Sequence, residues 1–281
     1  MKNKIKSIFI LARPVNCLIA FISAWAGAVV AGDIYISVGI VCAGLGVASL
    51  AAFGNAVNDI LDIETDSINK PFRPLPSGAL GKREAIAATV FFAMTGLLLS
   101  LAVDRYAAIL AAIAILLMAL YTPVFKGLFF AGNFLVAFVA SLAFIFGGIA
   151  AGKPFGALIL TIFAFLFHLG REVVKDVQDM AADINSGRRT GASIDNGKTA
   201  RTMAAGVFGL LVIATIIPYL TNHYGIVYLI TVVAGVDLVL SVSIARLMQT
   251  DDPEVMRRIA VWLKAVMPLG LLAVLFGSRG W

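Results

Sequence analysis

Asp59-Ile60-Leu61-Asp62-Ile63-Glu64-Thr65-Asp66 and Asp176-Val177-Gln178-Asp179-Met180-Ala181-Ala182-Asp183 carry the same i, i+3, i+7 run of aspartates, 117 residues apart, each beside a long apolar stretch. At 100° per residue these positions fall within roughly a 60° arc of an α-helix, so each triad lines its carboxylates along one stripe. Two facing stripes would make a cage for divalent cations. The same offset relates Asn16 to Asn133, each near the start of an apolar run. Chance seldom supplies three aspartates in register. Two copies of a four-helix unit, about residues 11–127 and 128–247, plus a ninth helix are the simplest account, and internal duplication of this kind often places a site between the repeats.

Working outward, the 281 residues are 60% apolar and 14% charged. Runs of about 17 to 25 mostly apolar residues, bounded by charges, Gly/Pro or polar loops, are what a hydrocarbon core about 30 Å thick demands of spanning helices. Nine are expected, at about 15–32, 36–58, 84–103, 106–122, 131–151, 155–175, 201–220, 224–247 and 257–277. The fold class is therefore an all-α integral membrane protein, a single bundle of nine transmembrane helices around a central cavity. A cleavable signal peptide does not fit the start of the chain, because Arg13-Pro14 interrupts the apolar region and the run continues into a full-length span. Cys17 and Cys42 lie inside expected spans at no metal-ligand spacing and read as small packing residues.

The net charge of +6 is decided by where the basic residues fall. All 22 Lys and Arg except Arg105, Lys153 and Arg279 lie on the N-terminal side of the nine-span topology. Excess Lys and Arg mark the cytoplasmic face. This puts the N-terminus and both triads at the cytoplasmic side of the cell membrane, with the C-terminus outside, and it leaves no call for a nucleic-acid partner.

Two connections stand out as long, about 59–83 and 176–200, each carrying its triad. The first, with Pro71, Pro74, Pro76 and Gly78, reads as a defined, turn-rich lid; the second, with Asn185-Ser186-Gly187 and Gly191, reads as more mobile. Of 16 acidic residues, eight fall in the two windows: Asp59, Asp62, Glu64, Asp66, Glu172, Asp176, Asp179 and Asp183. Like charges one turn apart repel, so something cationic must offset them. A single such cluster is most simply a solvated face neutralised by Lys70, Arg73, Lys175, Arg188 and Arg189. Its duplication points instead to bound cations, and oxygen ligands without nearby His or Cys select Mg²⁺, Mn²⁺ or Ca²⁺ over Zn²⁺, with Mg²⁺ favoured where substrate phosphates complete the shell. Lys70 and Arg73 after the first triad, Arg171 and Lys175 before the second, and Lys126 after Tyr121 supply cations for an anion. Acids for metal and bases for anion make a diphosphate site, and the apolar bundle behind it suits a long hydrocarbon. A divalent-cation transporter would place its carboxylates near the bilayer midplane. A phosphatidyl-group transferase would show one Asp-rich motif rather than two.

Asn58-Asp59-Ile60-Leu61-Asp62-Ile63-Glu64-Thr65-Asp66, continuing through Asn69-Lys70-Pro71-Phe72-Arg73-Pro74-Leu75-Pro76-Ser77-Gly78, resembles the first signature of the UbiA family of intramembrane prenyltransferases. Lys175-Asp176-Val177-Gln178-Asp179 through Asp183 resembles the second, and Arg13-Pro14 with Asn16, together with Tyr121 to Lys126, also match. The resemblance covers the whole chain. It implies Mg²⁺-dependent transfer of an isoprenoid from a prenyl diphosphate donor to a lipid acceptor inside the membrane. One Mg²⁺ would sit on Asp59, Asp62 and Asp66 with Asn58 beside them, and a second on Asp176, Asp179 and Asp183. Lys70, Arg73, Lys126 and Lys175 would grip the diphosphate, and Asn16 and Tyr121 would contact substrate. The apolar cavity would shield the carbocation-like centre left by the departing diphosphate.

Within the family, the tail to Gly78 and the stretch Arg171-Glu172-Val173-Val174-Lys175-Asp176 are most similar to the branch that carries a geranylgeranyl group onto geranylgeranylglyceryl phosphate in archaeal ether-lipid synthesis. Gln178 and Ala182 depart from that branch's rhythm, and an aromatic or quinone/chlorin acceptor is the alternative. A hydroxyl acceptor needs a base, for which His168 and Glu172 stand one turn apart on the side of Asp176. Arg171, Arg188 and Arg189 are candidates for the clamp on the acceptor's phosphate, the latter two reading equally well as positive-inside loop charges. Asp237, alone in the eighth span, has no partner evident from sequence.

Overall fold

The computed structural model describes residues 2–32, 37–126, 128, 130–185 and 195–278, with side chains at 2, 3, 69 and 181–185 left undescribed. Among these residues every regular element is helical. In order they are α1 (Lys2–Ala12), α2 (Pro14–Val30), α3 (Val38–Leu61), α4 (Ile63–Asn69), α5 (Lys82–Val103), α6 (Arg105–Leu120) with a π-helical end (Tyr121–Phe125), and α7 (Ala131–Ala150). A 3₁₀ turn (Pro154–Ala157) leads into α8 (Leu158–Asn185), followed by α9 (Lys198–Leu220), α10 (Ile226–Val232), a π-helical turn (Val233–Asp237), α11 (Leu238–Gln249) and α12 (Pro253–Gly277). Among the described residues, eight helical segments are long and apolar enough to cross a membrane, and a ninth is reached if the pair Lys4–Ala12 and Pro14–Val30, bent by 47°, counts as one span.

That bend has a local cause. Pro14 offers no N–H to continue α1 and disfavours the α conformation in the residue before it, yet it fits the first position of a new helix. α1 accordingly stops before Pro14 and α2 starts at it, while Arg13 between them is left-handed at φ 52, a conformation the proline itself does not call for. The expected first span, 15–32, missed that residues 2–12 are themselves helical. Phe130, 117 residues after Arg13, is also left-handed at φ 66 and immediately precedes α7. α5 and α9 end at Val103 and Leu220, again 117 apart.

The chain forms two compact units, Met1–Gly127 with Leu142–Ala157, and Leu128–Ser141 with Leu158–Trp281. In the first, α3 packs against α5 and α2, and Ala24, Val47, Leu50, Ala107, Ala111, Ala143 and Phe146 form a buried cluster. The approach of α2 to the second half of α7 is so close that a Cβ on Gly147 would overlap the Ala24 carbonyl, and one on Gly27 the Phe144 carbonyl. Small residues of this kind let helix backbones meet where lipid removes the hydrophobic drive to associate. In the second unit, α8 packs against α9 and α12, with fully buried Phe208 seated on Gly170. Large apolar side chains such as Val90, Phe91, Leu98, Leu101, Ile109 and Leu116 are more than half exposed, the composition of a lipid-facing surface. The protein is a multi-pass membrane protein.

The two long connections expected at 59–83 and 176–200 are shorter than the sequence suggested. Asp59 belongs to α3, Asp66 to α4, and residues 176–185 to α8. Polarity was the misleading signal: Val173, Val174 and Val177 are buried while charged neighbours take other sides of the same helix, and 171–185 contains no Pro or Gly to stop it. The mobility expected around Gly187 and Gly191 concerns residues outside those described.

Candidate active site

The first aspartate set straddles a one-residue interruption. α3 ends at Leu61, Asp62 takes φ −97 and ψ 10, and α4 begins at Ile63. The hydrogen-bond ladder nevertheless runs on, from Asp62 N–H to the Asn58 carbonyl at 2.9 Å and from Asp66 N–H to the Asp62 carbonyl at 2.8 Å. The three carboxylates therefore stay on one side, as the spacing predicted. One Arg73 nitrogen, Nη1, donates both to Asp59 Oδ1, at 3.0 Å, and to Asp66 Oδ2. Lys126 Nζ donates to Asp62 Oδ2, and Arg13 Nη2 to Asp59 Oδ1.

Asp59, Asp62 and Asp66 are only 4%, 6% and 5% exposed, which removes the solvated-face reading. Buried ion pairs are poor stabilising devices, since desolvation offsets most of the attraction, so four of them on three carboxylates mark a functional site. Their basic partners are more open, at 32% for Arg13, 29% for Lys126 and 20% for Arg73, and keep donors available to an anion.

Arg73 is delivered by the segment after α4. Pro71, Pro74 and Pro76 cannot extend a helix, and Gly78 takes φ +73. Leu75 and Leu80 are buried against Leu11, Ala56 and Ala85, while the Leu80 N–H bonds the Pro74 carbonyl at 2.9 Å. The segment is the defined, turn-rich structure its sequence predicted, and Arg73 is fixed by buried leucines on its C-terminal side. Lys70, at the end of α4, is exposed.

In the second unit Asp176 and Asp179 lie on α8. Asp176 accepts from Asn133 Nδ2 at 2.8 Å, a neutral donor, and Asp179 is exposed. Lys175 Nζ turns to Glu172 at 3.2 Å, and Arg171 Nη1 donates to Glu172 at 2.6 Å. Arg171 Nε is buried without a hydrogen-bond partner among the described residues. Glu172 thus has both oxygens held by cations, which makes it an orienting group for Arg171 and Lys175 rather than a ready proton acceptor. His168 lies one turn earlier on α8, edge to face with Phe167. The Asp183 side chain, Arg188 and Arg189 lie outside what is described.

Sequence reasoning gave no part to Asn55 or Thr122, and used Arg13 only as part of the opening motif. Thr122, in the π-helical turn after Tyr121, donates to Asn58 Oδ1 at 3.1 Å and so fixes which way that amide faces. Asn55 accepts from Arg13 Nη1 at 3.4 Å and from Asn16 Nδ2 at 3.5 Å, and it donates to the Ala12 carbonyl at 2.9 Å. Asn55 stands one helical turn before Asp59, a spacing that could have placed it on the same face. Asp237 does have a partner: both its oxygens lie 3.1 Å from the Thr215 hydroxyl on α9, and Tyr228 O–H donates to the Thr215 carbonyl at 2.6 Å.

No three acidic, His or Cys side chains among the described residues converge on a single point as a ready metal cage. The donor set still suits a hard cation, since its oxygens are buried carboxylates beside an oriented amide oxygen, with no nitrogen or sulfur ligand among them. What occupies the carboxylates is Lys and Arg, which an anion can draw away.

A helical membrane bundle whose buried carboxylates are interleaved with anion-seeking cations defines a class, the intramembrane enzymes that work on lipid-linked phosphates. Residues 20–265 match the UbiA prenyltransferase family, and the chain belongs to it. It is a prenyltransferase. The digeranylgeranylglyceryl phosphate synthase of Methanocaldococcus jannaschii is 34% identical over 277 residues, 98% of this chain and 97% of that one. That of Halobacterium salinarum is 37% identical over 237 residues, covering 84% and 86%. A solved structure of a digeranylgeranylglyceryl phosphate synthase superimposes with a TM-score of 0.84 at 34% identity over 99% of both chains. A UbiA homologue from Archaeoglobus fulgidus bound to GPP and Mg²⁺ shares the fold, with a TM-score of 0.62 at 17% identity over 95% and 99%.

Proposed function

We propose that the protein transfers a geranylgeranyl group from its diphosphate to the free hydroxyl of geranylgeranylglyceryl phosphate, with two Mg²⁺ ions, at the cytoplasmic side of the cell membrane. The observation that carries this reading is the buried set Asp59, Asp62 and Asp66 with a cation on each carboxylate. Near-full-length likeness to synthases of this kind supports the acceptor. The excess of Lys and Arg on the N-terminal side supports an orientation with the N-terminus inside and the C-terminus outside. The helix ends and left-handed residues that recur at 117 support reading about 11–127 and 128–247 as repeats.

In this reading one Mg²⁺ is held by Asp59, Asp62 and Asp66 with Asn58, and a second by Asp176, Asp179 and Asp183. Held there, such ions would supply positive charge for a departing diphosphate. Lys126 and Arg73 turn from carboxylate to diphosphate oxygens, joined by Lys70 and Lys175. Thr122 keeps the Asn58 oxygen aimed, and Asn16 and Tyr121 flank the donor. Arg171, ordered by Glu172, takes the acceptor's phosphate together with Arg188 and Arg189, and His168 receives the acceptor's hydroxyl proton. The lipid-facing bundle keeps water from the allylic centre as the C–O bond breaks.

The test is product analysis on the purified chain with C10, C15 and C20 prenyl diphosphates, Mg²⁺, and either geranylgeranylglyceryl phosphate or an aromatic acceptor. The expected product is a glyceryl phosphate carrying two geranylgeranyl chains. Prenylation of the aromatic acceptor alone would overturn the acceptor, and consumption of no donor would overturn the whole reading.

A further inference from the structure

Arg13 is a costly residue to hold where it stands. A non-glycine side chain in a left-handed conformation, immediately before a proline, persists only where its surroundings over-determine it. Here the surroundings are Asp59, which accepts from Nη2, and Asn55, which accepts from Nη1 and also ties down the Ala12 carbonyl beside it. The result brings a third cation to the first aspartate set. Arg13, Arg73 and Lys126 then stand against Asp59, Asp62 and Asp66, charge for charge.

We propose that Arg13 is a positioning residue that completes the charge balance of this set, so that the set takes up metal and diphosphate together and neither tightly alone. The inference rests on the function proposed above and adds an order to it. A bare divalent cation must break a buried ion pair to reach a carboxylate, and the displaced Lys or Arg is left without a counter-ion. A bare diphosphate meets cations whose charge the carboxylates already offset, so their remaining open donors hold it only weakly. When both arrive, the metal ion takes carboxylate oxygens while the freed Lys126 and guanidinium donors find phosphate oxygens, so every charge is matched again. Asp59, shared by two guanidiniums, is the hub of this exchange.

The test reads binding, not turnover. Mn²⁺ binding to the purified full-length chain is followed by electron paramagnetic resonance with and without inorganic pyrophosphate, in a background carrying Asp176→Asn and Asp179→Asn to silence the second set. In that background Mn²⁺ alone is expected to bind weakly, and pyrophosphate to tighten it by more than about tenfold. Arg13→Gln leaves one carboxylate unbalanced and is expected to tighten bare Mn²⁺ binding by about three- to tenfold, shrinking the pyrophosphate effect by a similar factor. Arg13→Lys keeps the charge and should behave as its parent. If Arg13→Gln does not fold, Lys126→Gln unbalances Asp62 without touching the backbone bend and carries the same expectation. Bare Mn²⁺ binding that is unchanged or weaker in these Gln variants overturns the proposal, as does tight Mn²⁺ binding to the parent without pyrophosphate. A failure of prenyl transfer with the binding pattern intact would overturn the function alone.

Discussion

Asp59 and Asp176 stand 117 residues apart at matching places in the two units, yet they face different chemistry. Asp59 is clasped by two guanidiniums, whereas Asp176 accepts a hydrogen bond from the amide of Asn133. The left-handed residue is Arg13 ahead of α2 in one unit and Phe130 ahead of α7 in the other, a cation in one case and an aromatic residue in the other. Asn133 reaches its aspartate directly, while its counterpart Asn16 bonds Asn55. Lys126 finds at its own offset Ser243, whose hydroxyl is spent on the Val239 carbonyl. The first unit thus carries a charge-balanced carboxylate set and the second an aspartate with a neutral partner. A neutral partner leaves the carboxylate's charge uncompensated, whereas a guanidinium offsets it until something draws the guanidinium away.

The comparison is broken most directly by deleting one carboxylate from each side. Asp62→Ala and Asp179→Ala are each expected to lower kcat by about 10³-fold or more with the helical circular dichroism retained, because in the proposed function each removes a ligand to Mg²⁺. Retained activity in either would strip the metal role from that set. Lys126→Met comes next, with a loss of about 10²-fold in kcat from a missing diphosphate donor, where a lone rise in KM for the acceptor would contradict its placement. Asn133→Ala sharpens the contrast on the other side. Removing the amide that orients Asp176 is expected to raise the Mg²⁺ concentration for half-maximal rate about tenfold at little cost in kcat at saturation. The smallest effect is expected from Thr122→Val, a few-fold loss that should track the Asn58 amide and vanish in an Asn58→Ala background, as a double-mutant cycle would show.

Much of this was legible beforehand. The apolar runs marked the spans because a bilayer core imposes a length on them, and the aspartate spacing put Asp59 and Asp66 on one side because helical periodicity continues through Asp62. The break at Asp62 was not legible, since no Pro or Gly announces it. Nor was the continuation of α8 through Asp176 to Asn185, where charge was mistaken for loop although valines at 173, 174 and 177 kept a buried face. The pairing of particular cations with particular carboxylates was out of reach for a different reason. Arg13 and Asp59 are 46 residues apart and Lys126 and Asp62 are 64 apart, so their meeting depends on helix packing that local periodicity does not encode. Asp237 shows the same limit, because its hydroxyl partner comes from the preceding span.

The left-handed backbone ahead of Pro14 is a position where glycine would relieve about 1 kcal/mol of conformational cost. Arg13→Gly would nevertheless take a guanidinium from buried Asp59 and a donor from Asn55, and an unbalanced buried charge costs more than the backbone gains, so a screen for heat tolerance is expected to reject it. Backbone comfort and charge balance thus pull this single codon in opposite directions, and because the ion pair outweighs the strain, a library ranked on melting temperature is expected to keep arginine there.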